Sequence, residues 1–387
     1  MSDDITTTYV LVSGDFTTWG GMDRANYALA WYLADGLGVS VHLVAHGVAE
    51  PLASHRNVTW HRVDKPFGRY GLASPVLASR GRRVARELSR VGARVVVNGG
   101  NCVWSDVNWI HAVHAAWANR DTHAPRLFRL RNGLQKHVAR RAEGRALRTA
   151  ATIITNSRRA RSQVIEHVGV PPECVTAVYY GIDPTIFRPA SRAERDAARS
   201  RLGWTLDRPV VLFIGALGHD RNKGVDVLVD TWRRLCADER WDVDLVLAGG
   251  GAEVDTWRAT VAAEGLERRI DFFGFTKQIP DLLAAADALV SPTHYDAYGL
   301  GVHEALCCGL PAFVTRSAGV AERYPESLSG LLLDDPPQAA DLAARMRSWR
   351  ERMPEFRVAV APFGEKLRTR TWDDMARDIK QKLDDTR

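Results

Sequence analysis

Short apolar runs that stop abruptly on glycine or on Ser-Pro, each giving way to helical periodicity, recur along this chain and leave few folds open to it. The first series opens at Tyr9 to Ser13 and passes through the stretch Gly14 to Gly21. From Met22 to Leu37 the residues Ala25, Ala28, Leu29, Tyr32 and Leu33 line one helical face. Gly38 ends that helix, and Val39 to Val44 alternates as a strand. Further strands are predicted at Arg94–Asn98, Asn108–His114 and Thr152–Thr155. A second series begins with the strand Pro209 to Gly215 and the amphipathic helix Val225–Leu235. It continues in strands at Val243–Ala248, Ile270–Phe273, Ala288–Val290 and Pro311–Val314. Such alternation builds parallel, doubly wound sheets. A chain of 387 residues also exceeds what one core usually supports. The expectation is an α/β protein of two Rossmann-like domains facing a cleft, with the Pro-rich stretch Val168–Pro189 as the crossing. The boundaries are 1–188 and 189–367, and the last helix spans about Trp372 to Leu383.

Composition narrows the class. No segment offers about 20 uninterrupted apolar residues, so no membrane span is expected. The N-terminus lacks the basic-then-apolar order of a signal peptide. Five cysteines, without zinc spacing, read as reduced and mostly buried thiols of a cytoplasmic protein. The net charge of +6 is unevenly spread. Arg126, Arg129, Arg131, Lys136, Arg140, Arg141, Arg145 and Arg148 crowd the stretch 126–148, whose single acid is Glu143. That stretch is either a solvated helix face or a peripheral contact with an anionic acceptor or the inner face of a membrane. Nucleic acid is not expected, because no recognition fold or aromatic-basic motif accompanies the charge.

The chemistry concentrates between Ser291 and Pro311. The run Asp287 to Val290 stops at Ser291-Pro292, and a loop follows with Asp296 and Gly299. Leu300 to Cys308 then reads as a short helix closed by Gly309. Asp296 and Glu304 thus stand at the carboxyl end of a strand and on the next helix, where open α/β sheets bind ligands. An acid, seven residues, Glu-Ala in a small-residue helix and then Gly-x-Pro together resemble the signature of the family-4 retaining glycosyltransferases. The resemblance is strong from Val210 to Asp334, moderate at Gly20-Gly21 and from Thr155 to Pro189, and weak from Ala45 to Val107. It implies the GT-B fold, with the tail of about 368–387 packing back on the first domain. It also implies a nucleoside diphosphate sugar donor, UDP- or GDP-linked, and no further cofactor.

Breaking an anomeric C–O bond leaves negative charge on a diphosphate, which needs cations, N–H groups or a metal. The segment Gly215 to Gly224 lies between a strand and a helix N-terminus, where N–H groups and the helix dipole favour anions. Lys223 corresponds to the family's diphosphate-binding lysine. The arginine that the family places after the strand's glycine is Ala216 here, and Arg221 is the candidate to replace it. Glu304 matches the acid that accepts the ribose hydroxyls, since one carboxylate can take two such bonds. Asp296 stands where the family has a glutamate contacting the transferred sugar. The backbone N–H groups of Ala297, Tyr298, Gly299 and Leu300 precede the helix and can hold sugar hydroxyls or phosphate. Gly20 and Gly21 form a glycine loop that in the family approaches donor phosphate and acceptor. His111 and His114 compete for the role of a histidine contacting the donor sugar, with His111 favoured.

No metal site is expected. Asp242-Val243-Asp244 fits an Asp-x-Asp pattern, but it leads into a strand and so lies at the end opposite the ligands. The reading is a retaining, metal-independent hexosyltransferase, whose acceptor is a glycan, a lipid-linked or a small molecule. Its rivals are a nucleotide-sugar epimerase of the same fold and a non-catalytic sugar- or nucleotide-binding protein. A dinucleotide-dependent dehydrogenase is disfavoured because no Gly-x-Gly-x-x-Gly with a downstream acid follows a strand.

Overall fold

The computed structural model describes residues 7–65, 70–118 and 120–386. The first six residues, on which the signal-peptide reading partly rests, lie outside that range. The chain divides into two compact units. The first comprises Met1–Trp117, Arg126–Gly181 and Thr371–Arg387, the second Ala118–Pro125 and Ile182–Arg370. The division thus falls at 181/182 rather than 188/189. The return falls at 370/371, and the short segment 118–125 belongs with the second unit.

The first unit is built on a parallel sheet of β1 (Tyr9–Val12), β3 (Val41–Ala45), β5 (Val58–Arg62), β6 (Arg94–Val97), β7 (Val107–Ile110), β8 (Thr152–Thr155) and β9 (Val175–Ala177). Their spatial order is β5-β3-β1-β6-β7-β8-β9, and β2 (Asp15–Phe16) pairs separately with β4 (Gly47–Val48). Its helices are α1 (Gly21–Trp31), α2 (Glu50–Ala53), α3 (Tyr70–Ser89), α4 (Arg126–Thr149) and α5 (Arg158–Val168). The helix expected over Met22–Leu37 is α-helical only to Trp31, and Tyr32–Gly36 continues as a wider π turn. The strand expected to reach His114 ends at Ile110.

The second sheet has the order β12-β11-β10-β13-β14-β15, all parallel. Its strands are β10 (Val210–Ile214), β11 (Asp244–Ala248), β12 (Ile270–Gly274), β13 (Ala288–Ser291), β14 (Ala312–Thr315) and β15 (Leu332–Leu333). Its helices are α6 (Arg192–Leu202), α7 (Val225–Cys236), α8 (Val254–Ala263), α9 (Ile279–Ala285), α10 (Leu300–Cys307), α11 (Ala339–Glu351) and α12 (Met353–Arg368). Central strands covered by helices on both faces must be apolar throughout, which is why β10 and β13 read as unbroken runs. Helix α7 supplies Leu228, Trp232 and Leu235 to the core, each fully buried. The order 3-2-1-4-5-6 reverses direction between β10 and β13, so the loops leaving those two strands diverge and open a crevice at their carboxyl ends.

Helix α13 (Trp372–Asp385) belongs to the first unit. A capping box at Thr371 and Asp374 starts it. Tyr9 donates to Asp384 at 3.1 Å, and Arg94 donates to the Thr386 carbonyl at 2.7 Å. All five cysteines are free thiols, with Cys102, Cys307 and Cys308 buried.

Asp287, at the start of β13, anchors a buried ionic cluster. It accepts from Arg195 at 2.7 Å, from Arg199 at 2.7 Å and from the Val210 backbone at 3.0 Å. Arg199 is 1% exposed and also donates to the carbonyls of Ala285 and Arg208, both at 2.9 Å. Each nitrogen of that guanidinium thereby has an acceptor, as a buried charge requires.

Candidate active site

The loop from Gly215 to Gly224 carries β10 into α7, and the loop from Pro292 to Gly299 carries β13 into α10. They are stitched together by one carbonyl. Asn222 accepts from the Thr293 hydroxyl and from the His294 backbone, each at 2.7 Å. Gly224 makes the join sterically possible. Its φ is +72°, and a Cβ there would stand 1.9 Å from the Pro292 carbonyl oxygen. Gly249 does the same one strand over, where a Cβ would meet the Gly215 carbonyl at 1.8 Å.

Lys223 and Asp296 are brought together by this join. The Lys223 ammonium donates to Asp296 Oδ2 at 2.6 Å, and both side chains remain partly exposed. Asp296 Oδ1 accepts from the Tyr298 backbone at 3.3 Å. Gly299, at φ +95°, turns the chain into α10. The side chains of Ala297 and Tyr298 are buried. The Tyr298 hydroxyl meets His303 Nδ1 at 2.9 Å and accepts from Arg323 at 3.0 Å. Burial raises that phenol to about 12, with the nearby Arg323 pulling the other way. These contacts fix the segment whose N–H groups precede the helix. Glu304 sits one turn into α10, 5% exposed.

Arg221, the candidate to replace the missing arginine, already has an acidic partner. It adopts φ +49°, its Nε donates to Glu253 Oε2 at 2.8 Å, and its guanidinium lies 4.7 Å from the Trp257 ring centroid. His219 Nδ1 meets the same carboxylate at 3.3 Å. Burial alone would raise the Glu253 carboxyl, but the bonds from Arg221 and His219 outweigh it and hold it below the ordinary range. Arg221 therefore braces the loop against α8, and its charge is already matched. The absence of arginine at Ala216 is not made good by an unpaired guanidinium. Asp226, in the first turn of α7, is held low as well. Burial opposes this, and His294 and Arg120 overcome it. Asp242 and Asp244 are paired with Arg350 and Arg208 at the amino end of β11.

In the first unit the two histidines separate clearly. His111 is buried, with Nδ1 2.6 Å from the Tyr180 hydroxyl and Nε2 3.2 Å from Asn98. Burial lowers its pKa to about 3. Both of its ring nitrogens thus have partners within the first unit. His114 keeps over a third of its side chain exposed, and its Nδ1 lies 2.5 Å from Glu143 Oε2. Glu143 is buried and also accepts from the His114 backbone at 3.0 Å. The recognised motifs offer no carboxylate–histidine pair at short spacing suited to a general base, yet the fold makes one from residues 29 apart. The signal was the lone acid in the basic stretch. Gly20, at φ +80°, precedes α1, whose first turn contains Asp23. Burial and then the charge of Asp15 push the Asp23 carboxyl up to about 6, against the pull of Lys65. Asp23 Oδ1 has no hydrogen-bond partner among the described residues. Asp23 and Glu253 stand in no motif of the sequence, where Glu143 stood out only as the lone acid of the basic stretch.

Residues 19–186 match the family described as Glycosyltransferase Family 4, and residues 194–366 match Glycosyl transferases group 1. A D-inositol 3-phosphate glycosyltransferase of Thermobifida fusca is 30% identical over 228 residues, covering 55% of this chain and 51% of that protein. The chain spans about half the length of the curated relatives it matches. Among solved structures, WaaG, a glycosyltransferase involved in lipopolysaccharide biosynthesis, superposes with a TM-score of 0.76 at 19% identity over 96% of this chain and 99% of that one. HepE of Anabaena, in complex with UDP and glucose, gives 0.71 at 19% identity over 98% and 100%. Both share the fold of two parallel-sheet α/β domains. The chain belongs to the family-4, group 1 glycosyltransferases and has their GT-B fold.

Proposed function

We propose that this protein is a retaining glycosyltransferase that takes a hexose from a nucleoside diphosphate sugar, UDP- or GDP-linked, held mainly by its second unit. The observation that carries this reading is the Lys223–Asp296 pair at the β10/β13 switch point, with Glu304 on the helix that follows the Asp296 loop. Lys223 and the N–H groups opening α7 would stabilise charge on the departing diphosphate. Glu304 would accept the ribose hydroxyls, and Asp296 would set the ammonium while facing the sugar. The acceptor oxygen forms its bond to the anomeric carbon as the bond to phosphate breaks, and the acceptor proton passes to the leaving phosphate. No divalent ion has a step in this scheme. The like-folded HepE structure, which contains UDP and glucose, supports a nucleotide-sugar donor.

Glu304→Ala is expected to weaken nucleotide binding by about 2–3 kcal/mol, the scale for losing a charged hydrogen-bond partner. Nucleoside diphosphate and sugar nucleotide should be affected alike, since the ribose is common to both. Calorimetric titration of a variant with parental thermal stability measures this, and equal affinities would remove Glu304 from the ribose.

A second reading is favoured by one observation. The His114–Glu143 pair has the form of a general base oriented by a carboxylate, which an inverting transferase needs. Proton NMR of the product from an α-linked donor, with EDTA present, separates the two. An α-linked product formed without metal is expected. A β-linked product would transfer the base role to His114 and overturn retention.

A further inference from the structure

Helix α4 changes character along its length. Its buried residues are Glu143, Gly144, Ala146 and Leu147, all in the last two turns. The earlier turns bury none. Leu127, Leu130, Leu134 and Val138 are 79%, 75%, 67% and 58% exposed. At about 100° per residue these four fall within a stripe about 80° wide. Arg131, Arg141 and Arg145 lie on the same face. An aliphatic stripe of this regularity is not scattered surface apolarity, and it calls for a partner.

Charge identifies that partner. The stretch 126–148 carries eight arginines and lysines, and its one acid is the buried Glu143 bound to His114. Arg140 and Arg148 are committed to the backbone carbonyls of Trp117 and Val168. A second copy of this helix would set like charges against each other. A nucleic acid would satisfy the arginines and leave the leucines in water. An anionic bilayer satisfies both, because acyl chains receive the aliphatic stripe while lipid phosphates receive the guanidinium groups. No described helix is long and apolar enough to cross a membrane, so the contact would lie in the interfacial plane.

We propose that the first four turns of α4 form a docking surface for anionic lipid headgroups, with Leu127, Leu130, Leu134 and Val138 at the acyl boundary. Vesicle flotation of the full chain tests it, using phosphatidylcholine alone and phosphatidylcholine with about one-third phosphatidylglycerol. Binding to the anionic vesicles is expected, at least about tenfold above the neutral ones. Arg131→Gln with Arg141→Gln should weaken it about 30-fold, the effect of two surface charges. Leu127→Gln, Leu130→Gln and Leu134→Gln together should weaken it about 100-fold, from lost acyl contact. All these side chains are exposed, so melting temperatures should not move. Three results would overturn the proposal. One is equal binding to both vesicles. Another is full binding by the leucine variant, which would mean a polyanion surface. The third is a wild-type dimer in light scattering that the leucine variant abolishes, which would make the stripe a self-interface.

Discussion

Replacing Lys223 by alanine is expected to lower turnover by about 10²–10³ while substrate affinity falls much less. That magnitude is typical of removing one donor that stabilises charge developing in the transition state. Lys223 is placed for such a role by backbone geometry, because the Asn222 carbonyl ties its loop to the β13 loop and Gly224 permits their close approach. Its partner Asp296 holds the ammonium at 2.6 Å. On the proposed reading, removing the lysine would also leave the Asp296 carboxylate without its cation beside the leaving group, so repulsion would add to the lost attraction. Steady-state kinetics with a saturating donor would show the effect in kcat. A folded variant with parental kcat would take the whole loop out of the reaction.

Asp287→Ala is expected to destabilise the second unit by about 3–5 kcal/mol, because it strands a buried charge. Arg199 would lose its ionic partner while remaining among the carbonyls of Ala285, Thr205 and Arg208. The Val210 amide, which opens the central strand β10, would lose its acceptor as well. For a domain of this size such a loss corresponds to a fall in Tm of about 6–20 °C. Differential scanning calorimetry reads it. An unchanged melting temperature would show that the cluster relaxes at little cost.

What the sequence revealed follows from burial and from contact range. The central strands β1, β10 and β13 are covered on both faces, so they appear as apolar runs that need no partner to be recognised. The edge strand β5 was not anticipated. Its sequence, Val58-Thr59-Trp60-His61-Arg62, does alternate as a half-buried strand would, but the alternation covers only two apolar positions and is too short to stand out. The Ser291–Pro311 stretch disclosed Asp296 and Glu304 because strand, loop and helix follow one another locally. Glu143 and Glu253 act on partners 29 or more residues away, and no local periodicity encodes such meetings. The histidines show the same limit. Alternation carries a strand to His114, whereas the paired strand stops at Ile110 and turns His111 inward to Tyr180. Arg221 was legible as a loop cation, but its commitment to Glu253 depends on a positive φ and on α8, which only the fold supplies.

The most direct test of a nucleoside diphosphate site at the β10/β13 switch point is calorimetric titration with UDP, GDP and ADP. It should be run on the parent chain and on the Lys223→Ala and Glu304→Ala variants. One diphosphate should bind the parent well above the others, and both variants should bind it more weakly, with the larger loss at Glu304. Failure of all three to bind the parent, or parental affinity in both variants, would contradict a nucleotide site built from these two loops.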